Sequence, residues 1–189
     1  ADSSLRFNQL APINANLVPL EEARQIVDII SRRLLIPGGV RSLSEEPLAT
    51  PLKIVDDRGV LLADPRMPYQ GVCVGGETAR RVAYHNGTAW PSAYPSFIEA
   101  RASVFSFTDL AVKQALAFFE PIKTHLTEGG IGNISEMKDG NYPHRPRGCY
   151  AYALGVAETL RVYTMLKYRN GIHRYSQYET TPAATTEDK

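Results

Sequence analysis

Glu136 and Asp139 stand in a glycine- and proline-rich stretch that also holds His144, Arg145 and Arg147. Two acids, one histidine and two arginines thus fall within the twelve residues 136–147. Glycosidic bond cleavage needs paired carboxyl groups, one to protonate the leaving oxygen and one to activate water or attack. Glu136 and Asp139 are candidates for one such group. The same acids serve equally as loop caps and turn formers, and Asp139-Gly140 is an ordinary turn pair.

A second constellation, Tyr84-His85-Asn86-Gly87-Thr88-Ala89-Trp90-Pro91, contains the only tryptophan of the chain. Aromatic faces stack on the apolar faces of sugar rings, while amide and imidazole groups hydrogen-bond hydroxyls. Trp90 as a buried anchor and His85 as a satisfied loop histidine fit the pattern equally well. Arg6-Phe7-Asn8-Gln9 offers polar side chains either to a pocket or to a helix cap.

Helical patterns flank these segments. Leu20, Ala23, Ile26, Val27, Ile30 and Leu34 recur at helical spacing. Glu21 and Glu22 open that helix and Arg32 and Arg33 close it, matching the helix dipole. Ile36-Pro37-Gly38-Gly39 stops it. A short helix is predicted near 9–16, others near 90–102, 108–128 and 148–168. Pro121 should kink or split the third of these. The last has apolar residues around most of its surface, which predicts deep burial. Seven of the thirteen prolines fall in 37–95, which reads as long loop with small strands near 50–75. A loop that long is more often functional than idle.

Composition narrows the function classes. The 189 residues are 43% hydrophobic and 22% charged, ordinary for a globular chain. A net charge of +1 without a basic stripe argues against nucleic-acid binding. No run of about 18 apolar residues spans a membrane. No signal-like leader opens the sequence, and Cys73 and Cys149 lack zinc or redox spacing. These features point to a cytoplasmic protein with reduced thiols and without a metal site.

Taken together, the segments resemble the C-terminal catalytic part of glycogen debranching enzymes, the amylo-α-1,6-glucosidase domain. That family carries R-P-N-Q, L-L-T-P-x-G-L-R-S-L-S, Y-H-N-G-T-V-W-P-W and E-x-x-D-G…P-H-x-P-R-G-C-x-A-Q-A-W-S-V-A-E-x-L-R elements. Here they appear in the same order as Arg6-Phe7-Asn8-Gln9, residues 34–44, residues 84–91 and residues 136–161. The resemblance covers about residues 5–168, and its last element is specific by itself.

The resemblance implies an all-α fold, with residues 1–169 forming the second half of an (α/α)₆ barrel and 170–189 a polar, flexible tail. It implies that Glu136 is the catalytic base. Arg6, Asn8, Gln9, Tyr84, His85, Trp90 and Asp139 would bind substrate, an α-glucan carrying an α-1,6-linked glucose. No cofactor is implied. The family's general acid is an aspartate in a T-W-M-D-A-like element preceding R-P-N-Q, and no counterpart stands before Arg6. The expected partner is therefore the first half of the barrel or another copy of the chain, with a large apolar face exposed between them. Phe7, Ser92, Tyr152 and Leu154 depart from the family pattern. These departures admit an alternative, a non-catalytic half-barrel that binds glucan or a partner chain.

Overall fold

The computed structural model describes residues 4–128 and 130–168; the tail expected from 170 lies outside them. Elements run in the order of a 3₁₀ turn Phe7–Gln9, α1 Leu10–Asn14, α2 Leu20–Arg33, β1 Leu35–Ile36, β2 Gly39–Arg41, α3 Glu77–Tyr84 and β3 Ala89–Trp90. There follow α4 Ala93–Ser103, α5 Asp109–Ala117, α6 Glu120–His125, β4 Met137–Lys138, β5 Pro146–Arg147 and α7 Ala153–Tyr168.

The centre is α4. Ala93, Tyr94, Phe97, Ile98, Ala100 and Ala102 are all buried, so most of this helix is enclosed, with Ser96, Glu99 and Arg101 partly exposed. A helix of that kind must be surrounded, and α1, α2, α5, α7 and β2 all pack on it. Pro95 sits in its first turn, where no intrahelical donor is lost. α2 follows its amphipathic pattern, burying Ala23, Val27 and Ile30. Pro121 does split the long helical run: α5 ends at Ala117 and α6 restarts with the proline in its first turn.

Three expectations change. The fold is mixed rather than purely helical, since among the described residues five short strands form one antiparallel sheet in the order β1-β2-β3-β4-β5. Among the described residues, 50–75 holds only the isolated bridges Val55↔Leu61 and Asp64↔Met67. Its apolar side chains do not find a covering layer; Val55, Val60 and Leu61 stay about half exposed. The last helix begins at Ala153, not near 148, and buries one stripe only: Gly155, Val162, Met165 and Leu166. Leu154 and Leu160 on it are 51% and 62% exposed. Arg161 ties α7 to α4 through Glu99 Oε2 at 2.6 Å, with Glu158 beside it.

The sheet explains how segments far apart in sequence meet. Ile36-Pro37-Gly38-Gly39 forms the β1–β2 hairpin, with proline followed by Gly38 at φ +71°, the conformation that favours glycine. Val40 then pairs with Trp90, Ala89 with Lys138, and Lys138 with Pro146. The second, third and fourth family-like segments are thereby stitched edge to edge.

Phe97 is 0% exposed in the middle of α4. Truncating it leaves a cavity in the hub, and Phe97→Ala should lose about 3–5 kcal/mol of unfolding free energy in urea titration. Val60→Ala, on the exposed loop, should stay within about 0.5 kcal/mol; similar losses for the two would contradict a core centred on α4.

Candidate active site

Glu136 precedes β4 by one residue and is half-buried. Its side chain is held at both oxygens. The Tyr84 hydroxyl donates to Oε1 in a very short hydrogen bond, and the Cys149 backbone N–H donates to Oε2 at 3.0 Å. The Glu136 N–H in turn donates to the Cys149 carbonyl at 2.8 Å. With the Tyr152 N–H donating to the Ile134 carbonyl at 2.9 Å, this contact holds the bend at 149–152 beside 134–136, ahead of the start of α7. Gly148 makes it possible: at φ +69° it adopts a conformation that side chains resist, and a Cβ there would collide with Glu136 Oε2.

Tyr84 is the last residue of α3, the helix that sequence periodicity missed because only Val82 and Ala83 are buried in its eight residues. Its carbonyl accepts from Thr88 Oγ1 at 2.7 Å and from Trp90 Nε1 at 3.3 Å. The ring makes edge contacts with both His85 and Trp90, at centroid separations of 4.7 and 4.9 Å. His85 and Trp90 are stacked, 5.6 Å apart and 7° from parallel. Burial, then the hydrogen bond to Glu136 and its charge, push the Tyr84 phenol up to about 12. Burial, with Arg6 adding to it, lowers the His85 imidazole below its ordinary range.

Arg6 reaches this corner from the other end of the chain. Its guanidinium donates to the His85 carbonyl at 2.6 Å, to Asn86 Oδ1 at 3.1 Å and to the Ser42 carbonyl at 3.3 Å. Gln9 Nε2 donates to the Arg6 carbonyl at 3.3 Å. Asn8 is exposed and faces a different cleft of about 370 Å³, shared with Phe7, Ser92, Leu154 and Glu158.

Asp139 occupies a different environment. It is 3% exposed, and Arg147 grips its carboxylate through Nε and Nη2, with the Nη2 contact at 2.8 Å. The Cys73 N–H donates to Oδ1 at 3.0 Å. A buried carboxylate needs partners of this kind, and here they fasten the β4–β5 hairpin to the strand-like segment 72–74. Gly87 and Gly140 cross nearby. A Cβ on Gly87 would stand 2.6 Å from the Gln70 carbonyl, and one on Gly140 would strike the Gly87 oxygen.

An open cleft of about 760 Å³ lies over the result, lined by Tyr84, His85, Met137, Arg147 and Gly148, with Glu77, Arg80 and Arg81 on its α3 wall. The Glu136 carboxylate packs against two of those lining residues, Tyr84 and Gly148. Of the residues singled out in the sequence, Glu136, Tyr84, His85, Trp90 and Arg6 thus share one neighbourhood. Gln9 braces Arg6, Asn8 faces the second cleft, and Asp139 is enclosed by Arg147. Sequence reasoning missed Arg147, Gly148 and the Cys149 amide as parts of the apparatus. A glycine between Arg147 and Cys149, outside any turn pair, was the available signal.

A half-buried carboxylate with two fixed donors thus stands beside an aromatic stack whose tryptophan is buried, at the wall of an open cleft. The sequence profile of the family described as amylo-alpha-1,6-glucosidase matches residues 56–161, and the chain belongs to that family. No curated protein matches it.

The raised Tyr84 phenol carries a pH consequence. Below pH 10 the phenol is neutral in both folded and unfolded chains. Between 10 and about 12 the unfolded chain has released its proton and the folded one has not, so stability falls as pH rises through that window. Denaturant titrations at pH 9 and 11 should show a steeper loss in the wild type than in Tyr84→Phe. Identical slopes would contradict the hydrogen bond to Glu136.

Proposed function

We propose that this chain supplies the catalytic-base half of an α-1,6-glucosidase of the glycogen debranching type. The observation that carries the reading is the Glu136 carboxylate, fixed by Tyr84 and the Cys149 amide against the walls of an open cleft. A carboxylate oxygen has a second lone pair beyond the one its protein donor uses. Glu136 therefore retains acceptor capacity for a water proton while its orientation stays set. That water attacks the anomeric carbon as the bond to the leaving O6 breaks. The O6 electron pair takes a proton from a second carboxyl group, and one glucose is released. In an inverting arrangement the two groups stand roughly 6.5–9.5 Å apart, with the water between them.

In this reading Tyr84 and His85 line the glucose pocket with the buried Trp90 stacked behind His85, Arg6, Gln9 and Asp139 hold its walls, and Asn8 meets substrate from the neighbouring cleft. The general acid belongs to the other half of an (α/α)₆ barrel, or to another copy of the chain, packed on the apolar side of α7. The exposed Val156 and Leu160, one helical turn apart with Ala153 and Ala157 beside them, support a covered face there, because an exposed apolar stripe of this kind marks an interface.

One observation favours the alternative of a non-catalytic relative that binds glucan or a partner. Tyr152 and Leu154 stand where the family pattern has glutamine and tryptophan, and Leu154 lies open in the cleft beside Phe7 and Asn8. The two readings part on one experiment, glucose release from a branched dextrin by the assembled enzyme. Loss of a general base costs about 10²–10⁴-fold, so Glu136→Gln should reduce kcat by at least about 100-fold with the fold intact. Unchanged release would end the base assignment.

A further inference from the structure

Behind Glu136, three side chains are linked in the order of a serine-hydrolase triad. Ser135 Oγ lies 3.0 Å from His125 Nε2, and His125 Nδ1 lies 3.3 Å from Glu128 Oε2. The hydroxyl is not a nucleophile here. Ser135 is 2% exposed, and its Oγ lies 3.0 Å from both the Met137 carbonyl and Nε2, one of which takes its single proton. Nε2 also accepts the Ser135 backbone N–H, at 3.1 Å.

That hydrogen bond fixes the state of the ring. A nitrogen that accepts an N–H carries no proton of its own, so the neutral imidazole keeps its proton on Nδ1, aimed at Glu128. His125 is 3% exposed and closes α6, whereas Ser135 is joined directly to Glu136. The imidazole therefore bridges the helical core and the peptide from which the Glu136 carboxylate projects.

We propose that His125 is a positioning residue for Glu136, holding the Ser135 amide on Nε2 as the neutral Nδ1–H tautomer and so fixing the backbone that aims the carboxylate. This rests on the reading of Glu136 as the base. Two charged groups face the imidazole: Glu128 from the turn after α6, and the buried Lys138 from β4. Lys138 Nζ stands 3.9 Å from Glu128 and donates to the Pro37 carbonyl at 3.3 Å. Burial, reinforced by Lys138 and opposed by Glu128, holds the imidazole below its ordinary 6.5. Protonation of Nε2 sets two N–H groups against each other and breaks the bridge. The folded state thus keeps this contact at neutral pH and loses it as pH falls from about 6.5 through the lower folded value.

The test is a histidine-ring and backbone-amide NMR titration of the full chain, with the His125 signals identified by their loss in His125→Gln. At pH 7 the ring should show a protonated Nδ1 and a bare Nε2. On acidification the Ser135 amide should move with the His125 ring, at a midpoint below 6.5, and it should do so equally in Glu136→Gln. His125→Gln, whose amide oxygen can accept the same N–H, should remove that movement. In the assembled enzyme the acid limb of the rate profile should be steeper in the wild type than in His125→Gln. An Nε2–H tautomer, or a Ser135 amide indifferent to the His125 titration, overturns the proposal. Full activity in Glu136→Gln with the amide still following His125 instead removes the base reading and leaves the backbone bridge standing.

Discussion

A buried carboxylate has to be neutralised, and Asp139 meets that demand in a way the rest of the site depends on. Its partners are the Arg147 fork at 2.8–3.0 Å and the Cys73 amide at 3.0 Å. Removing Arg147 would leave an uncompensated charge at 3% exposure, a type of loss worth about 3–5 kcal/mol. The constraint fixes β5 against β4 and pulls 72–74 onto them. Once β5 is fixed, Gly148 and Cys149 follow directly and meet Glu136. The acid read from the sequence as a candidate for the same reactive group as Glu136, and from the resemblance as a substrate ligand, is thus the anchor that sets Glu136 in place.

Around that anchor the sheet does for the loops what α4 does for the helices. Strands of two or three residues contribute few hydrogen bonds each and have little independent stability. Here they are stabilised by what backs them: Val40 and Ala89 are 0% exposed, and β2 lies on α4. The core thereby determines the spacing between Trp90, Lys138 and Arg147. Tyr84 closes the circuit, because one residue touches Glu136 through its hydroxyl, Trp90 and Thr88 through its carbonyl, and His85 through its ring.

Much of this was legible from the residues. The α2 stripe, its stop at Ile36-Pro37-Gly38-Gly39 and the break at Pro121 follow from rules that act within one or two turns of chain, so sequence alone discloses them. The strands did not appear because two-residue pairing leaves no alternation to detect, and Trp90 reads as the start of a helix that begins at Ala93. α7 misled in the opposite direction. Its apolar content predicts burial, yet Leu154, Val156 and Leu160 face outward, and exposure of that kind depends on what packs against a helix and not on its composition. At the site, residue types singled out Glu136, Tyr84, His85 and Trp90, which the structure brings into one neighbourhood, but did not disclose that Trp90 and Asp139 are enclosed. A turn-forming aspartate and a salt-bridged one look alike until the strand that carries Arg147 is placed.

The central claim is that Glu136 acts as a base toward water, and it can be isolated from the leaving-group acid. α-Glucosyl fluoride expels fluoride without protonation, so its hydrolysis tests the base side alone. The account predicts Glu136-dependent fluoride release by the wild type and none by Glu136→Ala. Azide, entering the space vacated by the side chain, should restore release in Glu136→Ala by supplying a nucleophile that needs no base. Fluoride release that is absent in the wild type, or undiminished in Glu136→Ala, would contradict it.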